Sequence, residues 1–253
     1  MKLCFYLFFL ASAISISQAS VILYQNTFDD ASSLNNFTIN GTVQVAGGEL
    51  ISPQVNGGGV ALDLSTIADY STTLSSNTQT ISFGFNVAVE DTSPFNGGFG
   101  AFLSSEPLDP IGLGRVGYGI SGGTMVGDRT TFSFFNSTMA LQNVLIDEPN
   151  GIPDLPSHGT VRLDYDPITD TWSLYLRSAP DFFDPLSLTS ADLVGTAINS
   201  NFTDTPLPYF LLEREVTDTI HFDNLVISIV PEPSSTLLLS VAFLTLTAYR
   251  RRR

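Results

Sequence analysis

Lysine and cysteine are both missing between Ser20 and Val230. The five cations of that stretch are Arg115, Arg129, Arg162, Arg177 and Arg214; against them stand 24 carboxylates, a formal charge of −19. A surface this acidic repels nucleic acid and anionic lipid head groups, which excludes DNA and RNA as partners, while leaving divalent cations attractive. With no cysteine there, disulfides, Cys–His zinc sites and thiol nucleophiles are excluded, and a region spanning 20–229 is long enough to be stable without disulfides. Histidine is scarce: His158 lies in a loop-like context, His221 in a strand-like one, and neither has a second histidine nearby. The chain has no Gly-x-Ser-x-Gly elbow and no Gly-Lys-Ser/Thr phosphate loop. Its glycine-rich runs, Gly97–Gly100 and Gly112–Gly123, read as turns and bulges.

What is present begins with the two ends. Lys2 is followed by an almost unbroken apolar run from Leu3 to Ile14, then by Ser17-Gln18-Ala19, small residues at the positions a signal peptidase reads before Ser20. A basic start, a short apolar segment and a small-x-small site define a secretory signal peptide, assigned here to 1–19 with cleavage between Ala19 and Ser20. At the other end, Pro231-Glu232-Pro233 is followed by an apolar or small-residue segment, Thr236 to Tyr249, and then by Arg250, Arg251, Arg252 and Arg253. The apolar segment falls short of the ~20 residues that span a bilayer comfortably. The arginines favour the cytoplasmic side, so the preceding domain would face outward.

That tripartite tail, 230–253, resembles the PEP-CTERM sorting signal. The resemblance implies an exported protein of a Gram-negative bacterium that produces exopolysaccharide. Its tail would be held briefly in the inner membrane as a hydrophobic helix and recognised at Pro231-Glu232-Pro233 by an exosortase-type membrane protease. The protein would then reach the cell surface or extracellular matrix.

Between the ends, short runs rich in Val, Ile, Phe, Thr and Tyr alternate with Gly, Pro, Asn, Asp and Ser clusters, a pattern of many short strands. From Thr80 to Val89 the residues Ile81, Phe83, Phe85, Val87 and Val89 share one face, predicting a half-buried antiparallel strand. Thr130 to Phe135 predicts another, and Thr160–Tyr165 and Thr171–Arg177 predict a hairpin across Asp166-Pro167-Ile168-Thr169-Asp170. In the last strand the apolar spacing slips at Asp223-Asn224, which predicts a β-bulge. A single helix is expected at Leu186–Val194, capped by Ser187 or Thr189. The hairpin sequence from Tyr165 to Leu176 resembles the penultimate hairpin of concanavalin A-like, laminin-G-type jelly rolls, and Val21–Tyr24 could pair with His221–Ile229 as terminal strands do there. The expected fold is therefore all-β, a jelly-roll β-sandwich flanked by an N-terminal signal helix and a C-terminal hydrophobic helix.

Three kinds of site can be sought in such a domain. A glycan-active hydrolase or lyase needs carboxylates, and the nearest pair is Glu213 and Glu215, which on a strand would lie about 7 Å apart on one face. That spacing falls within the roughly 6.5–9.5 Å of inverting glycosidases, but the pair lacks the intervening aspartate of the concanavalin-like hydrolases and a solvated strand face is the plainer reading. Calcium would take oxygen ligands, and Asp164, Asp166 and Asp170 cluster around the hairpin, with Asp147, Glu148 and Asp154 before it. Carbohydrate binding needs aromatics in loops: Phe95, Phe99, Tyr118, Phe182 and Phe183 qualify, whereas Trp172 alternates with Leu174 and Leu176 and belongs to a core. The expected function is that of a non-catalytic surface or matrix protein in contact with exopolysaccharide.

Overall fold

The computed structural model describes residues 20–53, 58–90, 98–107, 115–123, 129–136, 143–151, 158–214 and 219–230. Ala19, the tail residues Pro231, Glu232, Pro233 and Arg250–Arg253, and both expected flanking helices lie outside that set. Among the described residues no helix is long and apolar enough to cross a membrane.

Alternation of apolar residues, punctuated by turn formers, produces fifteen strands among the described residues. These are β1 (Val21–Asn26), β2 (Phe37–Asn40), β3 (Gln44–Ala46), β4 (Glu49–Ser52), β5 (Gly59–Asp63), β6 (Thr80–Glu90), β7 (Gly98–Ser104), β8 (Gly117–Gly123), β9 (Arg129–Phe135), β10 (Asn143–Glu148), β11 (His158–Asp166), β12 (Thr171–Ala179), β13 (Leu193–Ile198), β14 (Tyr209–Arg214) and β15 (Thr219–Val230). An eight-stranded sheet runs β13-β12-β11-β6-β15-β4-β3, with β1 also paired to β15, as the terminal-strand expectation had it. A seven-stranded sheet runs β10-β9-β8-β7-β14-β5-β2. The two form a β-sandwich of the jelly-roll type, and Ile22–Ile229 is one compact unit.

The core is aromatic. Phe83 of β6 stacks on Phe210 of β14 at 5.7 Å and Phe85 meets Phe99 of β7 edge-on at 6.2 Å, joining the two sheets, while Phe222 of its own sheet meets Phe85 edge-on at 6.3 Å. Such offset and edge-to-face pairs add to the area they bury. Trp172 is fully buried between Tyr118, at 4.4 Å, and Tyr165, at 4.5 Å. Their polar tips are satisfied locally, as burial demands. Trp172 Nε1 donates to the Asn199 carbonyl (3.0 Å), the Tyr118 hydroxyl donates to Asn199 Oδ1 (2.9 Å), and the Tyr165 hydroxyl donates to Asp170 Oδ1 (2.8 Å).

The predicted hairpin is β11–β12, with Tyr165 opposite Trp172 and the turn at 167–170. It is followed by β13, which pairs with β12 in turn, and then by β14 and β15. The predicted bulge is also present. Asn224 adopts a left-handed φ of 48°, and its N–H donates to Asp223 Oδ1, letting Phe222 and Leu225 both point inward. One extra residue on a strand is accommodated in this way.

Three expectations are corrected. The Leu186–Val194 helix does not form: Pro185–Ser187 and Ser190–Asp192 are separate 3-10 turns, and Leu193 already opens β13. Thr189 does act as a cap, in a capping box with Asp192, but Leu188 is extended (ψ 139°) and interrupts the helical path. β6 is buried on both faces rather than one, because the connection after β12 crosses its outer side. There Pro185 lies against Gly84, so close that a Cβ on Gly84 would come within 2.5 Å of it. The glycine-rich runs, finally, are strands where they are described: Gly98–Gly100 opens β7 and Gly117–Gly123 is β8.

Candidate functional site

Those glycines shape the outer side of the seven-stranded sheet. On β7, Phe99, Ala101 and Leu103 belong to the core cluster, so alternation puts Gly98, Gly100, Phe102 and Ser104 on the other side of the sheet, where Phe102 is half-buried and the other three are buried. On β14, Phe210 and Leu212 face the core, which puts Tyr209, Leu211 and Glu213 on that same other side, with Leu211 fully buried and Tyr209 and Glu213 half-buried. Phe102 is opposite Gly119 on one side and Leu211 on the other. A Cβ on Gly119 would lie 2.2 Å from Phe102 Cδ1, so the half-buried Phe102 ring rests over bare backbone. Gly117, at φ 153°, is equally constrained, since a Cβ there would reach the Leu103 carbonyl oxygen at 1.9 Å and Phe135 at 3.3 Å. Phe102 and Phe135 meet edge-to-face at 5.5 Å.

A charged pair borders these rings. Arg115, just before β8, sets its guanidinium 5.8 Å from the Phe102 ring centre and donates from one terminal nitrogen to Glu213 Oε1 at 3.2 Å. The Arg115 side chain is 7 % exposed and that of Glu213 18 %. Burial pushes the Glu213 carboxyl above its ordinary value, while the Arg115 charge and hydrogen bond pull the other way. An arginine has five N–H donors and a carboxylate about four lone-pair sites, more than the Arg115–Glu213 contact itself takes up. An aromatic face beside a planar donor–acceptor pair can hold a ring that is apolar on its face and hydroxylated on its rim.

Of the residues expected at a site, few are brought to it. Glu213 is there, bound by Arg115; Glu215 lies outside the described residues, as do Phe95 and Asp154. Tyr118 and Phe99 are fully buried in the core, because the runs that looked like loops are strands and their inward positions are aromatic. Burial pushes the Tyr118 hydroxyl up to about 12, with the Phe202 N–H lowering it and Asp170 raising it. Phe182 packs edge-on against His158, and Phe183, 39 % exposed, lies under the Arg177 guanidinium. Both sit on the eight-stranded sheet's covering segment.

The calcium ligand set does not assemble. Asp164 pairs with Arg162 (3.1 Å), Asp166 closes its own turn by accepting from the Ile168 N–H (2.9 Å), and Asp170 accepts from the Tyr165 hydroxyl. Burial raises the Asp164 carboxyl, opposed by Arg162 and Ser82. Three carboxylates with three separate partners do not offer the converging oxygens calcium requires. Among the described residues no three His, Cys, Asp or Glu side chains gather as a metal cluster.

Phe102, Phe135 and Arg115 were not singled out from sequence. A signal exists in Gly98-Phe99-Gly100-Ala101, where glycine alternates with core residues as on a strand with a bare face. The pairing of Arg115 with Glu213 across 98 residues has no local signature.

Comparison with solved structures shows the same jelly-roll sandwich fold in lectin-like domains. The carbohydrate recognition domain of Emp46p, in metal-free form, superposes with a TM-score of 0.56 at 14 % identity, covering 82 % of this chain and 94 % of that one. A legume lectin-like domain from Entamoeba histolytica gives 0.55 at 9 % identity, covering 83 % and 98 %. A galectin-like protein of unknown function from Bacillus subtilis gives 0.54 at 8 % identity, covering 85 % and 100 %. At such identities the likeness is one of fold. No protein-family model and no curated protein matches the sequence.

Proposed function

We propose that the protein is an exported, non-catalytic glycan-binding module that contacts exopolysaccharide through the outer face of its seven-stranded sheet. The observation that carries this reading is the half-buried Phe102 ring resting over Gly119 beside the Arg115–Glu213 pair. The likeness to a carbohydrate recognition domain and a legume lectin-like domain supports it as an analogy of fold. Glu213 is held in an ion pair, a structural use of the carboxylate that favours binding over the hydrolase or lyase alternative.

Delivery rests on the sequence. The signal peptide at 1–19 would be removed before Ser20, and the PEP-CTERM-like tail would be recognised at Pro231-Glu232-Pro233 by an exosortase-type protease, with the arginine cluster kept in the cytoplasm. Intact mass spectrometry of protein from cells and medium, with and without that protease, tests the route. A species starting at Ser20 and lacking Arg250–Arg253, seen only with the protease, supports it; a tail retained in both strains refutes processing. The binding reading is tested by Phe102→Ala. Retention on immobilised exopolysaccharide is expected to fall at least about tenfold, or ~1.4 kcal/mol, with the melting transition still cooperative. Unchanged retention would move the site elsewhere, and turnover of the glycan would overturn the non-catalytic reading.

A further inference from the structure

We infer that the ligand of this face is an uncharged glycan, not a uronate- or sulfate-bearing one, because Arg115, the cation beside Phe102, is already paired with Glu213. The inference rests on the glycan-binding reading above and narrows it to a substrate class.

The five arginines are the complete set of permanent cations between Ser20 and Val230. Each is already engaged. Arg115 is held by Glu213, and Arg129 is held by Asp147 through two nitrogens. Arg162 pairs with Asp164, donates to the Leu188 carbonyl at 2.7 Å and lies 4.2 Å from the Tyr175 ring centre. Arg177 pairs with Asp192 at 2.7 Å, and Arg214 also has a partner. Of the histidines, His221 stands between Glu49 and Glu90, and the His158 ring packs on Phe182.

A carboxylated or sulfated sugar approaching Phe102 would have to take Arg115 from Glu213. That exchange would leave Glu213 unpaired in a mostly buried position, the costly outcome when one partner of a buried ion pair is removed. The incoming anion would also be repelled by the −19 charge of the domain. Hydroxyl groups impose neither cost. A hydroxyl can donate to the Glu213 carboxylate and accept from the Arg115 guanidinium, so a neutral ring has no need to break the pair.

Two consequences distinguish the classes. Binding through hydroxyls is nearly independent of salt, whereas binding of a polyanion depends on it strongly. Removing the Glu213 charge should also free Arg115 for anions. The full-length protein would be tested by affinity electrophoresis against neutral polymers (a β-glucan, a galactan, a mannan) and anionic ones (polygalacturonate, alginate, hyaluronan), with EDTA present. Salt would be set at about 0.02 M and about 0.5 M, either side of the ~10 Å screening length at 0.1 M.

At least one neutral polymer is expected to retard the protein at least about tenfold more than any anionic one, with less than about twofold change across the salt range. Glu213→Gln is expected to raise affinity for polygalacturonate at least about tenfold at low salt. Preference for an anionic polymer by the wild type overturns the inference and leaves the glycan-binding reading standing. Binding to none of the six overturns the reading itself, and the inference with it. The wild-type panel decides the matter even should Glu213→Gln fail to fold.

Discussion

His221 Nδ1 on β15 lies 2.7 Å from Glu49 Oε2 on β4, while its Nε2 lies 3.4 Å from Glu90 Oε1 at the end of β6. One imidazole therefore faces carboxylates from two of the strands that flank its own, β4 and β6. The hydrogen bond to Glu49 raises the affinity of His221 for its proton, burial opposes this, and the Glu49 and Glu90 charges reinforce it. Two residues along, burial pushes Asp223 up to about 6, with repulsion from Glu49 and Asp29 adding to it and the Asn224 N–H opposing.

Both shifts make the folded chain bind protons more tightly than the unfolded chain, so stability must fall as pH rises. The Asp223 contribution declines between 3.8 and about 6, and that of His221 is complete below 6.5 and lost as pH climbs through its raised folded value. The melting temperature is expected to fall from about pH 5 to about pH 8, and His221→Gln to flatten the upper part of the decline. Thermal melts across that range check this. A variant profile parallel to the wild type above pH 6.5 would show that the imidazole does not carry it.

Gly119→Ala tests whether the Phe102 ring needs bare backbone. A Cβ there would meet the ring at 2.2 Å, and only the side chain can yield. The ring is expected to swing off β8, reducing glycan retention as Phe102→Ala does, with a stability loss of about 1–3 kcal/mol, the usual range for overpacking. Denaturant melts and retention assays, run side by side, separate the two effects. Full retention in the variant would dissociate the ring from binding.

Tyr118→Phe removes a hydroxyl that donates to Asn199 Oδ1 and accepts from the Phe202 N–H at 3.1 Å. With that acceptor gone, the Phe202 amide is left without this bond, and the expected cost is about 1–3 kcal/mol. Trp172→Ala, which empties the space between Tyr118 and Tyr165, is expected to cost about 3–5 kcal/mol. Urea titration measures both, and the order of the two losses is the part that decides whether aromatic volume or the hydroxyl bonds dominate that corner.

Asp164, Asp166 and Asp170 have separate partners, so adding calcium or EDTA is expected to leave the melting temperature unchanged. A ligand that bound only the folded state at 100 times its Kd would add ~2.7 kcal/mol, an effect easily seen. A calcium-dependent rise abolished by Asp166→Asn would restore the hairpin as a metal site.

Much of this architecture is readable along the chain because strand periodicity is local. Ile81 to Val89 declare a buried face two residues at a time, Asp166 to Asp170 declare a turn, and the phase slip at Asp223-Asn224 declares a bulge that the left-handed Asn224 confirms. The covering of β6 was not readable, since the residue pressing on Gly84 is Pro185, a hundred positions away. The Leu186–Val194 segment has helical spacing but no helix, and a tertiary contact takes the place of the local one: Arg162 donates to the Leu188 carbonyl.

The amino-acid sequence by itself determined the charge of the domain, its lack of thiols and lysine, its strand pattern and the apolar and charged patterning of its two ends. Each of these depends on composition or on neighbours a few residues apart. Only the tertiary structure decided which aromatics are core and which line a surface, and that Arg115 belongs to Glu213. Strand order in a sandwich is set by which faces bury together, so residues far apart in the chain become partners, and the face they share exists only once both sheets are in place.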